Sequence, residues 1–97
     1  MRFYYIIAYD ISSTKIRTKV AKFLLNHGTR VQYSVFCCRL TPKELIKLKN
    51  NLNKLIQPEE EASVLIIKSG PVVDDMSTPD VEWLGREWVD NTAENII

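Results

Sequence analysis

Residues 29–40 read TRVQYSVFCCRL (Thr29 to Leu40), and the architecture of the chain turns on whether they form one strand or two. The run is rich in β-branched and aromatic residues, which favour extended backbone. Its length fits one long bent strand or two short antiparallel strands that break near Ser34. No Asn-Gly or Asp-Gly pair marks a tight turn inside it, so composition alone leaves both arrangements open.

The flanking segments bear on the choice. Upstream, Phe3 to Tyr9 is a continuous aromatic and aliphatic run ending at Asp10, the pattern of a central strand covered on at least one face. Ser12 and Ser13 offer N-caps for a helix in which Ile16, Val20, Phe23, Leu24 and His27 recur at spacings of three and four. Gly28 follows, a residue favoured at a left-handed helix terminus. Downstream, Thr41-Pro42-Lys43-Glu44 is a helix start: an N-cap, a proline in the first turn and a reciprocal Glu three residues past the cap. Leu45, Leu48, Leu52 and Leu55 mark the buried stripe of that second helix, which ends before Pro58. Glu59-Glu60-Glu61 is a solvated turn, and Ala62 to Lys68 is another buried strand.

Two strands within 29–40 complete the order βαββαβ. With right-handed crossovers this is a split βαβ arrangement, an α+β ferredoxin-like fold with one helix layer on one sheet face. The other face, carrying apolar and aromatic side chains, calls for a partner, and the simplest is a second copy in two-fold symmetry packed through the sheet faces. The expected domain is 1–69, with 70–97 an acidic C-terminal extension. Gly70-Pro71 is expected to break the fourth strand, and Val72-Val73 to add a short strand to an edge of this sheet or a partner's. Thr78-Pro79-Asp80 is expected to begin a short helix with Val81, Leu84 and Trp88 on one face and Trp83 nearby.

At 97 residues and 45% hydrophobic content the chain supports one modest core. No apolar run approaches the ~20 residues that span a bilayer, and Phe3 to Ala8 is too short and aromatic for a signal peptide, so a cytoplasmic protein without membrane association is expected. Cys37 and Cys38 are adjacent and point to opposite faces of a strand, so they cannot staple a loop. His27 is the only histidine, which leaves too few ligands for zinc.

The near-neutral total of +1 hides a strong polarity. Residues 1–57 hold eleven Lys and Arg against Asp10 and Glu44, a net of +9, while residues 58–97 hold two against ten acids, a net of −8. A basic half of this kind suits a polyanion. Lys15, Lys19 and Lys22 lie at helical spacing with Arg17 displaced around the turn: a solvated face, or a stripe of phosphate contacts that the scarcity of acids favours. Asp10, at the end of the first strand beside this surface, serves either as a local capping carboxylate or as a ligand for a phosphate-directed cation. Tyr9, Tyr33 and Phe36 are expected in core or dimer packing rather than in base stacking. Ser34 is expected near the strand break or the Asp10 site, and its hydroxyl has no activating base within sequence reach. The acidic tail is either a solvating end or, through Trp83, Leu84 and Trp88, a hydrophobic anchor ringed by acids.

Together, Tyr9-Asp10 after the first strand, the helix pattern K-x-R-x-K-V-x-K-x-L (Lys15 to Leu24), Gly28 and RVQYSVF (Arg30 to Phe36) resemble the CRISPR-associated protein 2 family over residues 3 to about 68. The resemblance implies a ferredoxin-like homodimer that binds nucleic acid. It implies either a metal-dependent endonuclease acting on RNA or DNA, or a non-catalytic scaffold that holds DNA beside the integrase subunit, CRISPR-associated protein 1, during spacer acquisition. A toxin-type ribonuclease of the same fold is a further alternative. The resemblance assigns Asp10 the catalytic, Mg2+-binding role; Lys15, Arg17, Lys19, Lys22 and Arg30 are the expected nucleic-acid contacts on grounds of charge, with Tyr9, Ser34 and Phe36 expected to support the site. The chain departs from the family pattern at Lys15-Ile16-Arg17, where adjacent arginines are frequent, at His27, at Cys37 and in the tail beyond Gly70.

Overall fold

The computed structural model describes residues 1–73 and 81–86, and in it the stretch 29–40 is two strands. The order is β1 (Phe3–Asp10), α1 (Thr14–Leu25), β2 (Gly28–Gln32), β3 (Val35–Leu40), α2 (Pro42–Ile56) and β4 (Ser63–Pro71). The strands form one antiparallel sheet in the order β2-β3-β1-β4, which is the βαββαβ ferredoxin-like arrangement. The continuously apolar β1 takes a central position, as its composition predicts.

Alternation along β1 sorts its side chains. Tyr5, Ile7 and Tyr9 are buried on the helix side, where cross-strand partners extend the same layer: Ile7 lies opposite Phe36 on β3 and Ile66 on β4. Val20, Ala21 and Leu24 of α1 and Leu48 and Leu52 of α2 close that layer into the core. The opposite face carries Ile6, Ala8 and Val35, with Leu65 and Ile67 at 56% and 50% exposure. A sheet with one covered and one apolar open face follows from having both helices on one side.

Both helix starts follow their sequence signals. The Ser13 hydroxyl accepts the Ile16 amide at 3.3 Å. At α2 the Thr41 hydroxyl accepts from the Glu44 amide at 3.1 Å while the Glu44 carboxylate accepts from the Thr41 amide at 2.8 Å. This reciprocal pair, with Arg2 3.4 Å from the same carboxylate, lowers the Glu44 pKa, the Thr41 amide being the main cause.

Gly28 differs from expectation. It opens β2 opposite Cys38 instead of ending α1, where Asn26 is the C-cap. Its requirement is close approach: a Cβ there would overlap the Cys37 carbonyl oxygen and lie 2.6 Å from the Cys38 sulfur. His27 lies outside α1, with its ring 4.6 Å from that of Phe23. Both cysteines are free and buried, and burial pushes the Cys38 thiol up to about 12, with Cys37 adding to the shift.

Gly70-Pro71 does not break the fourth strand: β4 runs through both residues to pair Pro71 with Phe3. The strand lies at the sheet edge, where a proline without N–H is tolerated. Within the single chain Val72-Val73 add no strand to this sheet, although the Val72 amide donates to the Arg2 carbonyl at 2.9 Å. The expected helix start at Thr78-Pro79-Asp80 and Trp88 lie outside the described residues. Residues 81–86 are not helical, and Gly85, at φ 82°, takes the left-handed conformation that ends any helix.

The turn joining β2 to β3 is the pair Tyr33-Ser34, without the glycine such turns favour. A buried cation holds it. Arg30 is 4% exposed; its Nε–H donates to the Tyr33 carbonyl at 3.0 Å, and an Nη group donates to the same oxygen. The guanidinium carbon lies 5.4 Å from the Tyr33 ring centroid and 5.5 Å from that of Phe36. Next to it the register shifts between Arg30 and Gln32, leaving Val31 as the extra residue of a bulge.

Two stability outcomes follow, both measurable by urea denaturation. Gly28→Ala destabilises by about 2 kcal/mol, because the obstructing atom is a backbone carbonyl that cannot swing aside. Arg30→Met costs about 2 kcal/mol by stripping the turn carbonyl of its charged donors. Arg30→Lys recovers only part of that loss, since an ammonium lacks the planar fork.

Candidate functional site: Asp10 and the basic helix

Asp10 is the last residue of β1 and is exposed. Its side chain leaves the face opposite Tyr9, and its cross-strand neighbour is Ser63 of β4, so both stand on the open face of the sheet. The capping role open to Asp10 is filled by others. Ser13 caps α1 with its hydroxyl, and the Ser13 amide donates to both carboxylate oxygens of Glu59 at 3.3 Å. Glu59, from the loop between α2 and β4, satisfies the helix start across 46 residues of sequence.

The other predicted residues separate into two groups. Lys15, Lys19 and Lys22 are exposed along α1, where spacings of four and three put them on one side. Arg17 folds back onto the loop between β1 and α1, donating to the carbonyls of Ile11 at 2.9 Å and Ser12 at 3.2 Å and to the Thr14 hydroxyl at 3.1 Å. It braces the loop that follows Asp10 while remaining half-exposed. Arg30, expected among the nucleic-acid contacts, instead lies inside the fold, with its charge directed to the Tyr33 carbonyl.

Tyr9 and Phe36 are core residues, their rings stacked at 6.2 Å between centroids. Burial raises the Tyr9 pKa, with the nearby Arg30 charge pulling it down. Ser34 sits at the strand break: its carbonyl accepts the Tyr9 amide at 3.1 Å, which ties the turn to the end of β1 one residue before Asp10. Tyr33, 43% exposed, lies outside the core of the single chain. Trp83 is half-buried, its indole N–H donating to the Val31 carbonyl at 3.0 Å, while Leu84 is fully exposed.

Ser63, Glu59 and the Trp83 contact were not legible in the sequence. Each arises from a pairing distant along the chain, and no local spacing encodes it. A carboxylate three residues after a threonine announces a capping box; one 46 residues away announces nothing.

Among the described residues no three His, Cys, Asp or Glu side chains gather as a metal cluster. At the end of β1 the exposed carboxylate is that of Asp10, outside any such cluster among the described residues. That donor set suits a hard cation such as Mg2+, which keeps several waters and accepts substrate phosphate oxygens, rather than a closed structural site.

The βαββαβ fold is shared with known proteins. The profile for CRISPR associated protein Cas2 matches residues 1–74. A Synechocystis relative named CRISPR-associated endoribonuclease Cas2 3 is 45% identical over 60 residues, covering 62% of this chain; this chain thus spans only 65% of that relative's length. A crystal structure of Cas2 superposes with a TM-score of 0.73 at 26% identity, covering 90% of this chain and 91% of the other. Streptococcus pyogenes Cas2 superposes with a TM-score of 0.66 at 30% identity, covering 84% of this chain and 99% of the other. The chain belongs to the Cas2 family of CRISPR-associated proteins.

Proposed function

We propose that this chain acts as a homodimer that binds nucleic acid through α1, takes part with the integrase subunit in spacer acquisition, and cleaves phosphodiesters in a magnesium-dependent reaction at Asp10. The observation that carries the reading is the exposed Asp10 carboxylate at the end of β1, released from capping by Ser13 and Glu59 and followed directly by the lysine-lined helix. The name endoribonuclease borne by the relatives supports the reaction class.

The open sheet face supports the second copy. Leu65 and Ile67 stand half-exposed beside Ile6, Ala8 and Val35, and a self-complementary apolar face is what two-fold pairing uses. Because Asp10 and Ser63 belong to that same face, pairing through it bears on whether two Asp10 carboxylates cooperate.

Within the chain the residues divide the work. Asp10 holds the cation and contributes the negative charge that fixes it; when bound, Mg2+ supplies Lewis-acid polarisation and an activated water. Lys15, Lys19 and Lys22 draw the sugar-phosphate backbone onto α1 and position it without reading bases. Arg17 steadies the loop that connects carboxylate to helix. Arg30 acts at one remove, by holding the turn whose Ser34 carbonyl receives the Tyr9 amide.

A second reading has its own support. With one carboxylate and no clustered partner among the described residues, and with His27 beyond the far end of α1, a DNA-holding scaffold that leaves cleavage to others needs nothing this chain lacks.

Asp10→Asn is expected to abolish magnesium-dependent cleavage by purified protein and leave dimer mass in sedimentation unchanged. Equal cleavage by both proteins removes the hydrolytic reading, and spacer acquisition by the variant favours the scaffold. Duplex binding that neutralises about six phosphates per dimer falls with salt at a log–log slope near −5. Replacing Lys15, Lys19 and Lys22 with Gln is expected to flatten that slope by about 0.9 for each phosphate no longer neutralised, and an unchanged slope moves the interface off α1.

A further inference from the structure

A cleft of about 250 Å³ lies beside the β2–β3 turn, lined by Gln32, Tyr33, Ser34, Trp83 and Arg86. We propose that it holds one unpaired nucleobase of a single-stranded nucleic acid, with the base against the Tyr33 and Trp83 rings and its phosphate on Arg86. The proposal rests on the nucleic-acid reading above and adds to it a site distant in sequence from the lysines of α1.

The cleft is built rather than incidental. β2 is an edge strand whose register shifts at Val31, and the Trp83 indole N–H donates to the Val31 carbonyl at 3.0 Å. That bond fixes the plane of a half-buried aromatic ring at the cleft wall. Gly85, at φ 82°, then turns the chain so that Arg86 lines the same cleft. On the other side Tyr33 is 43% exposed, and the Arg30 clamp on its carbonyl sets the backbone that carries the ring.

The chemistry selects the ligand. Two aromatic rings give stacking surface for any base. Gln32 offers an amide whose donor and acceptor match base edges, and Arg86 offers a planar cation for phosphate. The volume falls below the ~300–1,000 Å³ of pockets for drug-sized ligands, which suits one planar ring rather than a run of nucleotides. Glu82, exposed on the same segment, opposes a longer phosphate track. The Ser34 carbonyl, which accepts the Tyr9 amide, ties the turn at the cleft to the end of β1.

The test compares the full chain and its variants in fluorescence anisotropy with three probes: a labelled single-stranded oligoribonucleotide, the same strand with abasic positions, and a duplex. Wild type is expected to bind the intact strand about tenfold tighter than the abasic strand, the range of one stacked base. Trp83→Ala, Tyr33→Ala and Arg86→Gln are expected to reduce that preference and leave duplex binding unchanged. Trp83→Phe keeps a ring without the indole donor and retains part of the preference. Equal binding of intact and abasic strands by wild type, or a preference untouched by both Trp83→Ala and Tyr33→Ala, overturns the cleft. Loss of duplex binding in the Lys15/Lys19/Lys22→Gln protein tests the helix reading separately, so either can fail while the other stands.

Discussion

A guanidinium inside so small a fold is tolerated only where enough partners surround it, because desolvating a cation costs several kcal/mol. Arg30 meets that condition at the β2–β3 turn. It donates twice to the Tyr33 carbonyl and lies near the Tyr33 and Phe36 rings. The clamp replaces the turn chemistry that the sequence lacks, since Tyr33-Ser34 supplies neither glycine nor asparagine. With the turn held, the Ser34 carbonyl receives the Tyr9 amide, β1 keeps its direction through Asp10, and Tyr33 projects from the surface. A residue expected to meet phosphate is the one that shapes both the strand end and the neighbouring cleft.

The rest of the architecture separates support from function by face. The helix side of the sheet is filled by Tyr5, Ile7, Tyr9, Phe36 and the leucines of α1 and α2, and the opposite face is left uncovered by either helix. Residues with functional promise stand at the margins of this core: Asp10 and Ser63 at the strand ends, Lys15, Lys19 and Lys22 on the outer side of α1, and Tyr33 on the turn. Under the proposed function, a rigid interior with charged side chains at its rim would let the chain meet a large polyanion without disturbing its packing. Glu59 belongs to the same logic, since its carboxylate satisfies the start of α1 and leaves Asp10 exposed.

How much the sequence disclosed depended on the range of each interaction. The capping box at Thr41 and Glu44, the Ser13 cap, the leucine stripe of α2 and the apolar β1 were all legible, because each is settled by neighbours within a few residues. Gly28 was visible as a special residue but for a different reason from the one found: it admits the Cys37 carbonyl on an adjacent strand, and only the register shows that. Pro71 signalled a strand end, yet its edge position removed the penalty for its missing N–H. Arg30 counted toward a basic surface, since no local pattern tells an inward arginine from an outward one.

By itself, then, the order of residues determined β1, the starts of both helices, the presence of the fourth strand, the basic first helix and the location of Asp10 at the end of a strand, since hydrophobic period and caps act over one or two turns. Tertiary structure alone decided that 29–40 folds back on itself, that Arg30 points inward, that Glu59 reaches the start of α1 and that Trp83 meets the bulge at Val31. These contacts depend on backbone groups brought together from distant parts of the chain. Which carbonyl is left without a ladder partner, and which charge stands beside it, is fixed by register and packing, and neither exists until the sheet has formed.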